Sequence, residues 1–239
     1  MNIYSVINID IVNSRKIANR DVFQNQFKSY LANLSYEYAS FLVAPITLTL
    51  GDEWQIVIKD IRESYNIYLK IRQYLKSFNI NCYCGIGIGT MSTREAVDTR
   101  EMDGQVFIFA RESLSIAKAN KNSYSKIIST KDCKVYLQGI SSKFKRNTSL
   151  DLDHIINNII QNNETSMHRI TEKQQQTIDL YVRLGTYSAI LNEVPTLSKG
   201  MVSDRLRTSN FWLIESNKEL IYNLLESYVH CFMEEQDGI

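Results

Sequence analysis

Thr47-Leu48-Thr49-Leu50-Gly51-Asp52-Glu53-Trp54-Gln55-Ile56-Val57-Ile58 decides how the rest of the chain is read. Two runs rich in β-branched and aromatic residues meet at Gly51-Asp52, and a Gly/Asp pair between such runs reads as a β-hairpin. The hairpin tip then carries a carboxylate. An Asp in such a turn also has a purely conformational use, because it tolerates left-handed backbone and bonds its own main chain. A second acid lies upstream. Asp10 falls near the end of an apolar run that predicts a strand over roughly residues 2–12, where an ionised group needs a partner or water. If that strand pairs beside the hairpin, Asp10 and Asp52 converge. Converging oxygen ligands suit Mg²⁺ or Mn²⁺, since hard cations prefer carboxylate, carbonyl and water.

Working outward, Asn13-Ser14-Arg15 follows the first strand. A short polar turn there can offer backbone N–H groups, a hydroxyl and a guanidinium to a phosphate, and it is equally what an ordinary helix-capping loop looks like. Asp21 reads as the N-cap of a helix over 21–38, with Phe23, Phe27, Tyr30, Leu31 and Leu34 at helical spacing. After the hairpin, Ile61, Tyr65, Tyr68, Ile71, Leu75 and Phe78 make one apolar helix face. A strand over 80–89 ends in Gly85-Ile86-Gly87-Ile88-Gly89, where alternating glycines mean close packing or close ligand approach. A polar connection over 91–103 leads to a helix over 105–120, and strands are predicted at 126–129 and 135–137. The order β-α-β-β-α-β-α-β, with a hairpin in the middle and helices on one side, is an α+β, ferredoxin-like split-βαβ plan.

Composition sets the bounds. The 239 residues carry a formal net charge of +1 and are 44% hydrophobic with two prolines, which fits a folded chain with no general appetite for polyanions. No apolar run reaches the roughly 20 residues of a membrane span, and the N-terminus has no secretory pattern, so a cytoplasmic protein with no membrane partner is expected. The four cysteines have no paired zinc spacing and read as free thiols. Residues 1–140 hold 17 Lys and Arg against 13 Asp and Glu, whereas 141–239 hold 10 against 13. That shift, with an Asn- and Gln-rich second part, predicts two domains, 1–145 and 146–239.

The second domain reads as all helical. A helix is expected over 149–163, Thr171-Glu172-Lys173-Gln174 is a capping-box pattern, and Gly185 is a stop. Thr186 caps a short helix, Pro195-Thr196-Leu197 turns, and Ser198 caps another helix to about Arg207. This succession resembles a helix-turn-helix in which Ser198, Lys199, Ser203 and Arg207 face double-stranded DNA. A plain helical bundle is the competing reading, since residues 171–215 hold five basic and five acidic side chains. The last helix, about 217–234, repeats Leu220, Leu224, Tyr228 and Phe232 as core or as a homodimer seam.

The motifs together resemble known families. Ile9-Asp10-Ile11, Leu50-Gly51-Asp52, Gly85-Ile86-Gly87-Ile88 and Gly104-Gln105-Val106 resemble the class III nucleotide cyclase domain in order and spacing. Gly51-Asp52-Glu53-Trp54 is similar to the hairpin of diguanylate cyclases. Asp10-Ile11-Val12-Asn13-Ser14-Arg15, Gly51-Asp52-Glu53-Trp54-Gln55 and Ala110-Arg111-Glu112 together resemble the SatD family over about residues 1–140. The resemblance implies two divalent ions, Mg²⁺ or Mn²⁺, held by Asp10, Asp52 and the Ile11 carbonyl. It also implies a triphosphate cradled by Asn13, Ser14 and Arg15. Cyclases carry an Asn and an Arg four residues apart on the following helix. Here Ile108 stands at the Asn position, and Arg111, the candidate catalytic residue, falls one short of the Arg. A missing donor for developing charge costs roughly 10²–10³ in rate.

The reading that follows is an intracellular regulator. A metal-dependent cyclase-like domain binding a nucleoside triphosphate or cyclic nucleotide is joined to a DNA-binding helix-turn-helix. An active two-metal nucleotidyl cyclase or nucleotidyltransferase is the alternative.

Overall fold

The computed structural model describes residues 2–50, 53–119, 127–140 and 151–237. The hairpin tip, Gly51-Asp52, lies outside the described residues. The fold is mixed α+β, built on a five-stranded sheet in the order β2-β3-β1-β4-β5. Its strands are β1 (Tyr4–Ile11), β2 (Thr47–Leu50), β3 (Glu53–Ile58), β4 (Cys82–Gly89) and β5 (Val135–Gly139). β1 pairs antiparallel with both β3 and β4, β2 pairs antiparallel with β3, and β5 joins β4 in parallel. The helices among the sheet strands are α1 (Arg20–Glu37), α2 (Ser64–Ser77) and α3 (Gln105–Ala119). The expected element order therefore stands. So does the hairpin, with a register shift between Leu48 and Leu50.

Alternation along β1 sends Ile7, Ile9 and Ile11 to one face, where they join Phe23, Phe27 and Leu31 of α1 and Ile67 and Ile71 of α2 in the main core. Tyr4 and Val6 point the other way, to Val106, Phe107 and Ala110 of α3. The three helices do not share one side as the sequence suggested, and the glycines of β4 are the physical reason. A Cβ on Gly85 would meet the backbone of Leu114 and Ala110, and one on Gly87 would meet Val106 and Ala110. These bare positions let α3 lie directly on the strand.

Five helices follow: α4 (Leu152–His168), α5 (Glu172–Leu184), α6 (Tyr187–Glu193), α7 (Lys199–Thr208) and α8 (Phe211–Asp237). The caps on α5 to α7 are those expected. Thr171 and Gln174 form a reciprocal capping box, Gly185 adopts left-handed backbone, and Thr186 and Ser198 accept from Ala189 and Met201 N–H. Ile178, Ile190, Val202, Leu206 and Phe211 form a small core of their own. In contrast, Ile156 and Ile160 of α4 and Ile221, Leu225, Tyr228 and Phe232 of α8 belong to the main core under the sheet. Packing thus runs across residue 145. α8 has its first turn in one core and its later turns in the other.

Four expectations are corrected. Ile127–Ser129 form no strand, because Gln161 of α4 binds this segment from the side: its Oε1 takes the Ser129 N–H at 2.9 Å and its Nε2 reaches the Ile127 carbonyl. Lys126 lies outside the described residues. α1 is entered by Asn19 in left-handed backbone, which Asn tolerates, and Asp21 sits in the first turn instead. α4 runs on to His168, beyond the expected end at 163. α8 begins at Phe211, six residues early, since a left-handed Asn210 turns the chain directly into it. The buried stripe of α8 is Ile221, Leu225, Tyr228 and Phe232, while Leu220 is exposed. That stripe is core.

Candidate metal and nucleotide site

The face of the sheet that carries α3 changes character along its length. Opposed residues of antiparallel strands share a face, so register defines rows across it. One row is Val57, Val6 and Gly87; the next is Gln55, Asn8 and Gly85; the last is Glu53, Asp10 and Tyr83. Towards the hairpin tip, apolar residues give way to amides and then to acids. Gln55 Nε2 donates to Asn8 Oδ1 at 3.1 Å within the buried middle row. Asn8 Nδ2 is buried there with no hydrogen-bond partner among the described residues.

Asp10 is the centre of the last row. Its carboxylate keeps 23% of its surface, and Lys118, in the last turn of α3, brings Nζ to 3.3 Å of Asp10 Oδ2. On the β4 side, the Tyr83 hydroxyl is held above its ordinary pKa by burial and then by the Asp10 charge. On the β3 side, Glu53 stands opposite, the residue after Asp52 in sequence. β1 stops pairing with β3 at Asp10, and Ile11 continues beyond it against Cys82. The chain then turns. Asn13 takes left-handed backbone and its carbonyl accepts from Lys16 N–H at 2.8 Å; Ser14 is buried and Arg15 exposed. Asp10, Ile11 and the 13–15 turn are thus contiguous at one end of the sheet.

Other candidates are placed differently. Arg111 is exposed on α3. It lies two turns before Lys118 on the same stripe, roughly 10 Å away along the helix axis. Ile108 is exposed near the start of α3. Ser198 is spent on capping α7, with its hydroxyl accepting from Met201 N–H at 3.2 Å. Lys199, Ser203 and Arg207 lie at successive four-residue steps on the exposed side of α7, with Arg207 paired to Asp204 at 2.6 Å.

Two neighbours of Asp10 were not singled out from sequence. Glu53 stood inside the hairpin motif, and period-two alternation from Gln55 and Val57 puts it on the face of Asp10. Lys118 shares the stripe of Arg111, seven residues on. Among the described residues, no three His, Cys, Asp or Glu side chains converge as a metal cluster. Also among the described residues, no helix is long and apolar enough to cross a membrane.

Comparison with known proteins adds a family. The model of the SatD family matches residues 4–225. No curated protein matches the chain. Solved structures similar to it include the guanylate cyclase domain of RhGC from Catenaria anguillulae in complex with GTP, at 16% identity and a TM-score of 0.34 over 48% of this chain and 72% of that one. Another is the adenylyl cyclase CyaB from P. aeruginosa, at 15% identity and 0.33 over 46% and 70%.

Proposed function

The chain belongs to the SatD family, and from that premise we propose a regulator that binds a nucleoside triphosphate with a divalent metal at the Asp10 end of the sheet and DNA through α7. The observation that carries the first half is the row Glu53–Asp10–Tyr83 beside the hairpin tip. The order β2-β3-β1-β4 supports reading β1 to β4 with α1 and α2 as the ferredoxin-like, cyclase-like plan.

The donor set fits a hard cation: Asp10 offers a partly exposed carboxylate with Glu53 opposite it on the neighbouring strand. Asp10, the Ile11 carbonyl and Asp52 would hold Mg²⁺ or Mn²⁺, which when bound neutralises phosphate charge. Asn13, Ser14 and Arg15, next in the chain, would receive the phosphates. Lys118 occupies the position of a counter-charge on Asp10 and would move to a phosphate oxygen when metal arrives, since both cations favour the same carboxylate. Binding is favoured over turnover by α3. The Ile108 side chain presents no hydrogen-bond donor, and Arg111 lies exposed about two helical turns before Lys118.

For the second half, α7 buries only Val202 and Leu206 between its caps and leaves Lys199, Ser203 and Arg207 outward. That is the form of a recognition helix held on a small core. The functional division proposed is therefore 1–145 for nucleotide and 146–239 for DNA. α4 and α8 in the shared core supply the physical connection through which one ligand changes affinity for the other.

A thermal-shift series tests the nucleotide half, using ATP, GTP, CTP and UTP with Mn²⁺ on wild type and Asp10→Ala. One nucleotide should raise the wild-type midpoint by mass action and leave the variant unmoved. No shift with any of the four, or equal shifts in both proteins, rejects it. Gel retardation of genomic fragments at low salt tests the DNA half: wild type should bind, Lys199→Ala/Arg207→Ala should bind less, and no retardation by wild type rejects it.

A further inference from the structure

Where α2 and α4 meet the start of β4, a cavity of about 190 Å³ opens on the opposite side of the molecule's main core from α3. Its wall carries Arg72, Lys76, Lys134 and His168 against Glu164 and Asp132. Glu164 organises this wall. Its side chain is only 2% exposed, and its two oxygens are taken by the Tyr68 hydroxyl and by Arg72 Nε, each at 3.1 Å. Held through Nε, Arg72 keeps its two terminal nitrogens without a protein acceptor among the described residues. A guanidinium buttressed in this way presents a fixed fork of donors.

The other cations are also underused. Lys76 Nζ has one long contact, 3.4 Å to the Met167 carbonyl. Its ammonium is held below the ordinary lysine value by burial and then by the charge of Arg72. The Lys134 side chain has no hydrogen-bond or ion-pair partner among the described residues, although it faces the same space. His168 Nε2 stands 3.5 Å from Asp132 Oδ1. Arg72, Lys76 and Lys134 thus line a pocket with two carboxylates, of which Glu164 has both oxygens already taken. Like charges gathered in a half-buried space are unfavourable, and an oxyanion placed among them relieves that repulsion while taking the idle donors.

We propose that this cavity, distinct from the Asp10 face, binds a small phosphate-bearing anion, with the Arg72 fork and the Lys76 and Lys134 ammonium groups as its ligands. A tetrahedral dianion suits donors arriving from α2 and from the approach to β5, whereas a planar carboxylate would be satisfied by the fork alone. The occupied site would brace α2 and α4 against β4. That strand continues into the pairing behind Asp10, where Cys82 faces Ile11 and the Asn81 carbonyl accepts from Val12 N–H at 2.9 Å.

The test is titration with inorganic phosphate in EDTA, so that metal-dependent binding at Asp10 is silent, with ionic strength held constant by KCl. Phosphate at about 10 mM should raise the unfolding midpoint above the KCl control. Lys76→Gln/Lys134→Gln should bind phosphate at least about tenfold more weakly, with a midpoint in KCl no lower than that of wild type, since the repulsion among the cations is relieved. Lys134→Gln alone provides the same comparison if the double variant does not fold. Asp10→Asn should respond to phosphate like wild type, which separates this site from the nucleotide reading. Glycerol phosphate binding more tightly than inorganic phosphate assigns a phosphomonoester, and equal binding assigns the free ion. Absence of a phosphate effect beyond KCl, an unchanged response in the lysine variants, or loss of the response in Asp10→Asn each overturns the proposal.

Discussion

The two faces of one sheet are held by different means. Below it, Ile7, Ile9 and Ile11 alternate into a continuous apolar core shared with α1, α2, α4 and α8. Above it, the same strand shows Val6, Asn8 and Asp10, and the helix there lies against the bare glycines of β4. The lower face is built for stability, and its residues are interchangeable with others of similar volume. The upper face becomes steadily more polar towards the hairpin tip, which weakens packing and creates chemistry. A strand with period two can serve both ends at once, because neighbours in sequence never share a face.

The comparison is broken most forcefully from below. Ile9→Ala removes a fully buried side chain and should cost about 2–5 kcal/mol, read as a lower urea midpoint. Gly87→Ala attacks the upper face through the backbone of α3, and a loss of about 1–3 kcal/mol is expected in the same assay. Asp10→Asn should differ in kind. Its ion pair with Lys118 is partly exposed at both ends, so the stability change should stay within about 1 kcal/mol. Nucleotide and metal binding should nevertheless collapse. A destabilisation of Asp10→Asn as large as that of Ile9→Ala would mean the upper face is structural after all.

The smallest effect expected is an absence of reaction. Burial pushes the Cys82 and Cys133 thiols up to about 12, and burial and then the neighbouring Cys82 also raise Cys84 well above its ordinary value. A thiol that stays protonated is a poor nucleophile. Native protein at pH 8 should therefore show at most the half-buried Cys231 to a thiol-titrating disulfide reagent. Fast labelling of two or more thiols would show that the lower core opens readily.

The sheet was legible because its signals are local: alternation in β1 and β3, the Gly-Asp turn, and the glycines of β4. The caps of α5 to α7 were equally legible, each being a hydroxyl followed three residues later by the N–H it accepts. What eluded sequence was set by distant partners. Gln161 diverts Ile127–Ser129 from strand pairing across more than thirty residues, and Asn210 starts α8 early through left-handed backbone that few residues tolerate. At the site, Asp10 was readable as an acid stranded in an apolar strand. Lys118 was not, since its relation to Asp10 exists only once α3 lies on β4. The side chosen by α3 was likewise hidden, although Gly85 and Gly87 were its mark.

The most direct measurement is Mn²⁺ binding followed by electron paramagnetic resonance, with the nucleotide that gives the largest thermal shift, on wild type and Asp10→Asn. The free-Mn²⁺ signal should fall on adding wild-type protein and nucleotide, and the variant should need at least about tenfold more protein for the same loss, as when a carboxylate ligand is removed from a hard-cation site. Equal loss of signal with the two proteins would contradict the assignment of the acidic row as the metal and nucleotide site.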